Sequence, residues 1–274
     1  MNGERDIWCA VEAYMLKPPS GVDARLAQLE VPSYACILET IQAMGDAGAC
    51  VTSIEARLTS NGAPGGLFVS PERKQRISSV TRQLREFTFN TREVAPRESA
   101  DIESFLSALS DTASLQKFGF GLVDDGFFVN VGRVIASRAR PRLRNVYVAT
   151  ASLHLSTLAA ALEQLPESMD CIGLRNIRLL SGSWEHALDL LAQKAPRVCL
   201  LRNPSGAECE ELSEQELDDI FGREDRNNST DAETYIRRDP SSKKYNPFRY
   251  RRDLAEIARQ IQAEAAAQLA EEEE

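Results

Sequence analysis

A short hydrophobic pattern, apolar-x-x-apolar-x-apolar, recurs five times between residues 51 and 174. Its last two apolar positions are two residues apart, which is the spacing of side chains on one face of a strand. The five triplets are Val51, Ile54, Ala56; Leu84, Phe87, Phe89; Leu115, Phe118, Phe120; Leu143, Val146, Val148; and Met169, Ile172, Leu174. They begin 33, 31, 28 and 26 residues apart. Such intervals favour a repeated unit of one short strand and one helix.

The last two units align best. A shift of 26 residues superimposes the fourth triplet on the fifth and continues into the following helical segment, where Leu158 falls on Trp184 and Leu162 on Leu188. The match therefore covers a strand and a helix together. Ser183 is expected to cap the second of these helices. The match ends at Ser205, where polar sequence takes over, as at the closed end of a repeat array.

Segments with helical spacing of apolar residues lie between the triplets. Residues 34–47, 71–82 and 101–110 are predicted helices, and the segment 121–142 is predicted to be a loop with a short helix near 128–137. The predicted fold is an α/β, irregular leucine-rich-repeat-like solenoid, with a parallel sheet on one face and helices on the other.

The charge pattern divides the chain into two parts. Residues 1–206 are expected to form the solenoid with an N-terminal helical cap, and residues 207–274 a charged C-terminal extension with a helix. Residues 208–225 carry nine acids and one base, whereas residues 237–252 carry seven bases. We expect these charged side chains either to form ion pairs between the two segments or to lie on a solvated surface. An apolar stripe then marks one helix: Leu254, Ile257, Ile261, Ala265 and Leu269.

Composition restricts the function classes. The 274 residues include 43% hydrophobic and 27% charged residues, which is a globular balance, and the formal net charge is −9. That charge disfavours general binding of nucleic acid, because phosphates require a positive surface. No apolar run is long enough to span a bilayer and no secretory signal is visible, so we expect a cytoplasmic or nuclear protein.

The six cysteines are scattered and none forms a C-x-x-C pair. A zinc site or a thioredoxin-type redox site is therefore not predicted. In a reducing compartment most of these thiols are expected to be small buried apolar groups.

Residues capable of catalysis are few. His154 and His186 are the only histidines, and Ser181-Gly182-Ser183 reads better as a helix start than as part of a catalytic triad. Asp124 and Asp125 precede Gly126, which is foremost a turn sequence, although paired carboxylates can also hold a metal. We therefore predict no catalytic, cofactor-binding or metal-binding residue, and no enzyme activity.

The amino-acid sequence of the last repeat resembles that of a known protein family. Ile172-x-Leu174-x-x-Ile177-x-Leu179 is similar to the strand and turn of a leucine-rich repeat, and residues 169–191 resemble the degenerate repeats of fungal F-box-like proteins. Residues 232–250, with Asn246-Pro247 ahead of an aromatic residue, are similar to the tails of those proteins. The resemblance extends over residues 1–250, although its specific motifs occupy only these two segments, and residues 1–50 show no F-box pattern. It implies a substrate- or partner-binding arm.

Strict leucine-rich repeats carry a ladder of asparagines at one position of each unit. The equivalent positions here are expected to be Thr59, Arg92, Val123, Ala151 and Ile177, so no such ladder is predicted.

The favoured function is recognition of another protein by the sheet face that points away from the helices. If the triplets point inward, the outward side chains mix both charges with an aromatic residue, which suits a protein surface. The predicted partner-binding residues are Glu55, Arg57, Glu86, Thr88, Asn90, Lys117, Tyr147 and Arg175.

Three alternatives remain open. One is an enzyme of unknown class with a site built from loops, which a pocket gathering Asp124, Asp125 and His154 would favour. Another is a nucleic-acid binder, which a basic stripe joining residues 133–144 to residues 249–252 would favour. The third, implied by the resemblance, is the substrate-receptor-like arm of a ubiquitin-ligase system that lacks its own F-box.

Overall fold

The computed structural model describes residues 33–58, 69–91, 99–122, 129–195, 198–222, 230–238 and 245–272. Across these ranges strands and helices alternate along the chain. The predicted α/β class with a parallel sheet is confirmed.

Seven strands of the described chain form one parallel sheet. They are β1 (Ser53–Leu58), β2 (Glu86–Thr91), β3 (Lys117–Leu122), β4 (Asn145–His154), β5 (Cys171–Ser181), β6 (Val198–Arg202) and β7 (Ser205–Gly206). The spatial order from β1 to β6 follows the order of the chain, and β7 pairs with the later part of β5. Parallel neighbours need a crossover between them, so each pair is separated by a helix.

Nine α-helices occur within the same described ranges. They are α1 (Ser33–Asp46), α2 (Pro71–Thr81), α3 (Ser99–Leu109), α4 (Val131–Ala136), α5 (Leu155–Glu163), α6 (Trp184–Lys194), α7 (Glu214–Phe221), α8 (Asp231–Ile236) and α9 (Pro247–Glu272). From α1 to α6 each helix contacts the next, so these helices form a row beside the sheet. The helices predicted over 34–47, 71–82 and 101–110 are confirmed to within two residues, and α4 is the predicted short helix.

The triplets meet in register in the core. Phe87 of β2 lies opposite Phe118 of β3 with ring centroids 5.9 Å apart, and Phe89 lies opposite Phe120 at 6.3 Å. The same two rows continue from β1 to β5, so the predicted alignment of all five triplets is confirmed. Phe105 of α3 packs edge-on against Phe89 at 5.5 Å, which joins the row of helices to the sheet.

Strands β4 and β5 bend at equivalent positions. Thr150 and Asn176 have left-handed backbones, with φ of 52° and 50°, and they interrupt the parallel ladder between residues 149 and 151 and between residues 175 and 177. Asn203 repeats this conformation with φ of 47°, directly before β7 joins β5. A left-handed residue therefore recurs after 26 and then 27 residues and turns the sheet through a corner.

The residues after 206 share the core of the sheet. Phe221 of α7 packs against Trp184 of α6 with centroids 6.1 Å apart, and Phe248 of α9 packs against Phe221 at 6.0 Å. All three rings are buried. Core packing is thus continuous across position 206, where the sequence predicts a change of domain.

A buried carboxylate covers the open edge of β6. Glu233 of α8 accepts a hydrogen bond from the backbone N–H of Leu201 at 2.9 Å and forms an ion pair with Arg202. Its other oxygen accepts from the backbone N–H of Thr230 at 3.3 Å. An uncovered edge strand would present unpaired N–H groups, so α8 closes this side of the sheet.

Candidate functional site

The face of the sheet opposite the triplets carries the eight predicted binding residues. Successive side chains of a strand point to opposite faces, so the positions between the inward ones form register rows across β1 to β5. The three rows, called here the outer face, are Ser53, Glu86, Lys117, Asn145, Cys171; Glu55, Thr88, Gly119, Tyr147, Gly173; and Arg57, Asn90, Gly121, Ala149, Arg175. Five strands at about 4.8 Å spacing give this face a width of about 19 Å.

The centre of the outer face has small residues. Gly119 lies between Thr88 and Tyr147 in one row, and Gly121 lies between Asn90 and Ala149 in another. A Cβ added at Gly119 would come within 3.0 Å of the Thr88 hydroxyl oxygen, so Thr88 leans over this glycine. The middle of the outer face is therefore a shallow depression, because the glycines of β3 lie between larger side chains on β2 and β4.

The predicted binding residues differ in exposure. Glu55 and Glu86 are exposed, whereas Thr88, Lys117 and Arg175 are half-buried. Acids thus lie on the first two strands and bases on β3 and β5. The side chain of Arg57 lies outside the described residues.

Two predicted contacts are buried, which corrects the expectation that they are freely accessible. Tyr147 and Asn90 each expose only 8% of their surface, although both occupy outer-face positions. They lie on interior strands, and Tyr147 has an interaction partner of its own. Periodicity predicts the face to which a side chain points, but not what covers it there.

Asn90 has an unsatisfied polar atom. Its side-chain oxygen is buried and accepts no hydrogen bond. Leaving such an acceptor unpaired costs about 1–3 kcal/mol. A donor that reached this oxygen would recover that free energy.

Serine–histidine pairs occur at the starts of two helices. Nδ1 of His154 lies 2.9 Å from the Ser181 hydroxyl, and Nδ1 of His186 lies 2.7 Å from the Ser183 hydroxyl. Ser183 also accepts from the backbone N–H of His186 at 3.2 Å, which confirms the predicted cap of α6. No carboxylate bonds to either imidazole within the described ranges. Asp124 and Asp125, the acidic pair of the alternative enzyme site, lie outside the described residues.

A small cavity lies in the core between the sheet and helices α4 to α6. Its volume is about 30 Å³ and its lining is apolar, including Val146, Leu158 and Leu174. Ligand sites usually enclose about 300–1,000 Å³, so this space is a packing gap rather than a substrate pocket.

The arginines of residues 133–144 include several with partners in the same chain. Arg138 pairs with Asp111, and Arg144 lies 3.3 Å from Asp170. Arg140 is buried and donates to the carbonyl and hydroxyl oxygens of Ser110 at 3.1 and 3.0 Å. Burial lowers its pKa to about 10, so the guanidinium remains charged at neutral pH. Through these hydrogen bonds Arg140 links the end of α3 to the segment that follows α4.

The basic residues at the start of α9 pair with acids on α6 and α7. Arg249 lies 3.1 Å from Glu185 and 2.9 Å from Asp189, and Arg252 lies 2.8 Å from Glu185. Arg251 pairs with Asp219 of α7 at 3.0 Å. The predicted pairing between residues 208–225 and residues 237–252 is confirmed for Arg251, whereas Arg249 and Arg252 pair with acids of α6, outside the acidic segment.

Asp189 is the polar centre of this contact. Burial alone would raise its pKa, but hydrogen bonds from Tyr235 and Asn246 and the charge of Arg249 lower the pKa below its ordinary value. Burial and the bond to Asp189 raise the pKa of Tyr235 to about 12. Asn246 also donates to the backbone carbonyl of Glu185 at 2.8 Å. No sequence pattern identified this hydrogen-bond network, since Tyr235 and Asn246 lie 46 and 57 residues from Asp189 along the chain.

The cysteines depart in part from expectation. Cys209 is a buried free thiol, as predicted for most of them, and Cys50 is free and half-buried. Cys171 is buried but disulfide-bonded, which corrects the expectation of a reduced thiol at that position. The spacing of the cysteines along the chain did not signal this bond.

Among the described residues no cluster of three or more His, Cys, Asp or Glu side chains could hold a metal ion. None of the helices in those ranges is long and apolar enough to cross a membrane.

Comparison with known proteins returns no match: no family model, no curated protein and no solved structure matches this chain.

Proposed function

We propose that the chain is a protein-recognition module built as an irregular leucine-rich-repeat-like solenoid, and that the outer face of its sheet binds the partner. The repeat is supported by strands that pair in chain order and by the recurring left-handed residues Thr150, Asn176 and Asn203. Asn176 also donates to Thr150 on the neighbouring strand at 3.4 Å. This contact resembles one step of an asparagine ladder, one residue before the position expected from the sequence.

The observation that carries the proposal is the make-up of the outer face. Exposed acids at Glu55 and Glu86 lie at one side of a low centre, and the half-buried bases Lys117 and Arg175 lie on later strands. The accessible part of the face carries both charges, on Glu55, Glu86, Lys117 and Arg175, whereas Tyr147, Ala149 and Cys171 are buried. A surface with charges of both signs suits a protein partner better than a small molecule, which needs a concave pocket.

The unpaired oxygen of Asn90 adds a specific expectation. A backbone or side-chain N–H of the partner would complete its hydrogen bonding if the local side chains moved to admit it. Satisfying a buried acceptor contributes to selectivity, because a partner without a donor there leaves the oxygen unpaired.

The test uses charge reversal at both sides of the face. Glu86→Lys combined with Arg175→Glu is expected to weaken binding of the native partner several-fold, since charges at an interface rim contribute modestly. The matched control is Glu163→Lys with Arg142→Glu, which reverses the same charges at exposed positions away from the outer face. Tagged full-length proteins are recovered from the native cell, and bound proteins are quantified by mass spectrometry.

A thermal melt accompanies each variant, because Arg175 has an interaction that its reversal could disturb. Retention of the full partner set by a stable double-reversal variant would contradict binding at the outer face. Tyr147→Ala is a poorer test than the sequence suggests, because removal of a buried ring also lowers stability.

A further inference from the structure

Helix α9 leaves the body of the protein after Arg252, the last of its residues that pairs with α6 or α7. Phe248 is buried against α7, but every described side chain from residue 252 to residue 263 is exposed. In proteins most of the stability of a helix comes from the packing of an amphipathic face rather than from intrinsic helix propensity. A surface that covers this helix would therefore stabilise it.

The exposed part of α9 carries an apolar seam. The side chains of Tyr250, Leu254, Ile257 and Ile261 expose 42%, 46%, 51% and 61% of their surface. Their spacings of four, three and four residues are those of the a and d positions of a heptad. The described part of the chain has only two other exposed large apolar side chains, so this surface is concentrated on one helix.

The seam is complementary to itself when two copies run antiparallel. In a register that places Leu254 opposite Ile257 of the second copy, Tyr250 lies opposite Ile261. Each apolar side chain then meets another one, and the contact has the two-fold symmetry of most homodimers. The flanking positions include Ala258 and Gln260, which are small or neutral and allow close approach.

The charge pattern of α9 favours the antiparallel direction. Residues 247–260 contain four arginines against Asp253 and Glu256, whereas residues 261–274 contain five glutamates and no base. Parallel helices would place the two acidic ends side by side, where like charges repel. Antiparallel helices place each acidic end toward the arginines at the start of α9 in the other copy. Several of those arginines already have acidic partners, so avoidance of repulsion is the stronger reason.

We propose that a second copy of this chain covers the α9 seam, as an antiparallel pair of α9 helices. The seam is only two heptads long, so the interface is small and the dimer is weak, with a dissociation constant on the order of 10 µM. This surface is separate from the outer face of the sheet.

Sedimentation velocity of the full chain tests the proposal over about 1–200 µM, a range that brackets the expected dissociation constant. The wild type is expected to pass from monomer to dimer. Ile261→Asp is expected to remain monomeric throughout, because it places a carboxylate in the seam. Ala263→Asp adds the same charge to an exposed position off the seam and should dimerise like the wild type.

Disulfide trapping tests the direction. In an antiparallel pair, a mixture of Leu254→Cys and Ile257→Cys proteins forms the mixed crosslink more readily than either protein crosslinks to itself. In a parallel pair each protein crosslinks to itself. A wild type that stays monomeric at every concentration, a dimer that Ile261→Asp leaves intact, or preferential self-crosslinking would each overturn the proposal.

Discussion

The side-chain amide of Asn176 donates to the hydroxyl oxygen of Thr150 at 3.4 Å, and both residues have left-handed backbones. They occupy the same corner of neighbouring strands, 26 residues apart. Asparagine enters this conformation readily, whereas a β-branched residue is a marked outlier in it. The corner is therefore relaxed on β5 and strained on β4.

Relief of that strain should stabilise the protein. Thr150→Asn is expected to raise the free energy of unfolding by about 1 kcal/mol, because asparagine tolerates a positive φ. Chemical denaturation measures the change. Thr88→Asn, in a regular part of β2, is the control and should give no gain, because threonine suits a strand better than asparagine. Equal stability of Thr150→Asn and wild type would show that the corner holds no strain.

The inward register of β5 can be tested with two identical changes on one strand. Leu174 is 4% exposed and Leu180 is 39% exposed. Leu174→Asp places an unpaired carboxylate in the core and should abolish the cooperative thermal transition seen by circular dichroism. Leu180→Asp should melt close to the wild type. Similar melts for both variants would contradict the burial pattern of β5.

The two parts of the C-terminal helix should differ in importance. Deletion of residues 251–274 removes surface ion pairs, each worth about 0–1 kcal/mol, so the protein should remain folded. Deletion of residues 245–274 also removes Asn246 and Phe248, which are buried against α6 and α7. Loss of a buried aromatic side chain costs about 3–5 kcal/mol, so the longer deletion should strongly lower the melting temperature. Equal melting temperatures would contradict the contact of α9 with the body.

Cys209 should resist alkylation while the protein is folded. Burial, together with the charges of Glu208 and Glu210, raises the pKa of its thiol to about 12 from 9.0. Only the thiolate reacts, so iodoacetamide at pH 9 should label Cys50 well before Cys209, as peptide mapping by mass spectrometry will show. Addition of denaturant should remove the difference.

The same shift predicts a dependence of stability on pH. The folded-state pKa of Cys209 lies above the unfolded value, so the folded state binds this proton more tightly. This contribution is complete below about pH 9 and declines as the pH rises toward 12. Cys209→Ala should therefore lose less stability than the wild type over that window. A parallel decline in both proteins would contradict a buried neutral thiol.

The inward strand positions were predictable because they depend on local periodicity. A strand that buries one face needs apolar residues at every second position, and this requirement is visible in the triplets around Phe87, Phe118 and Val146. The helices between them follow from the same burial at helical spacing. Helix caps such as Ser183 are equally local, since donor and acceptor are three residues apart.

The candidate surface was predictable only in direction. Alternation places Glu86 and Tyr147 on the same face, yet one is exposed and the other is buried. The exposure of a side chain depends on whether residues from distant parts of the chain cover it. The pattern within one strand carries no information about those covering residues.

The sequence by itself therefore determined the alternation of strands and helices and the residues that face the core, because burial against a sheet imposes a short period. Only the tertiary structure decided where the sheet turns, how its edge is closed and where the acidic helices meet the basic one. Thr150 and Asn176 are 26 residues apart, and Leu201 and Glu233 are 32 apart. Contacts over such separations depend on how the elements pack, and that arrangement leaves no periodic signal in either segment.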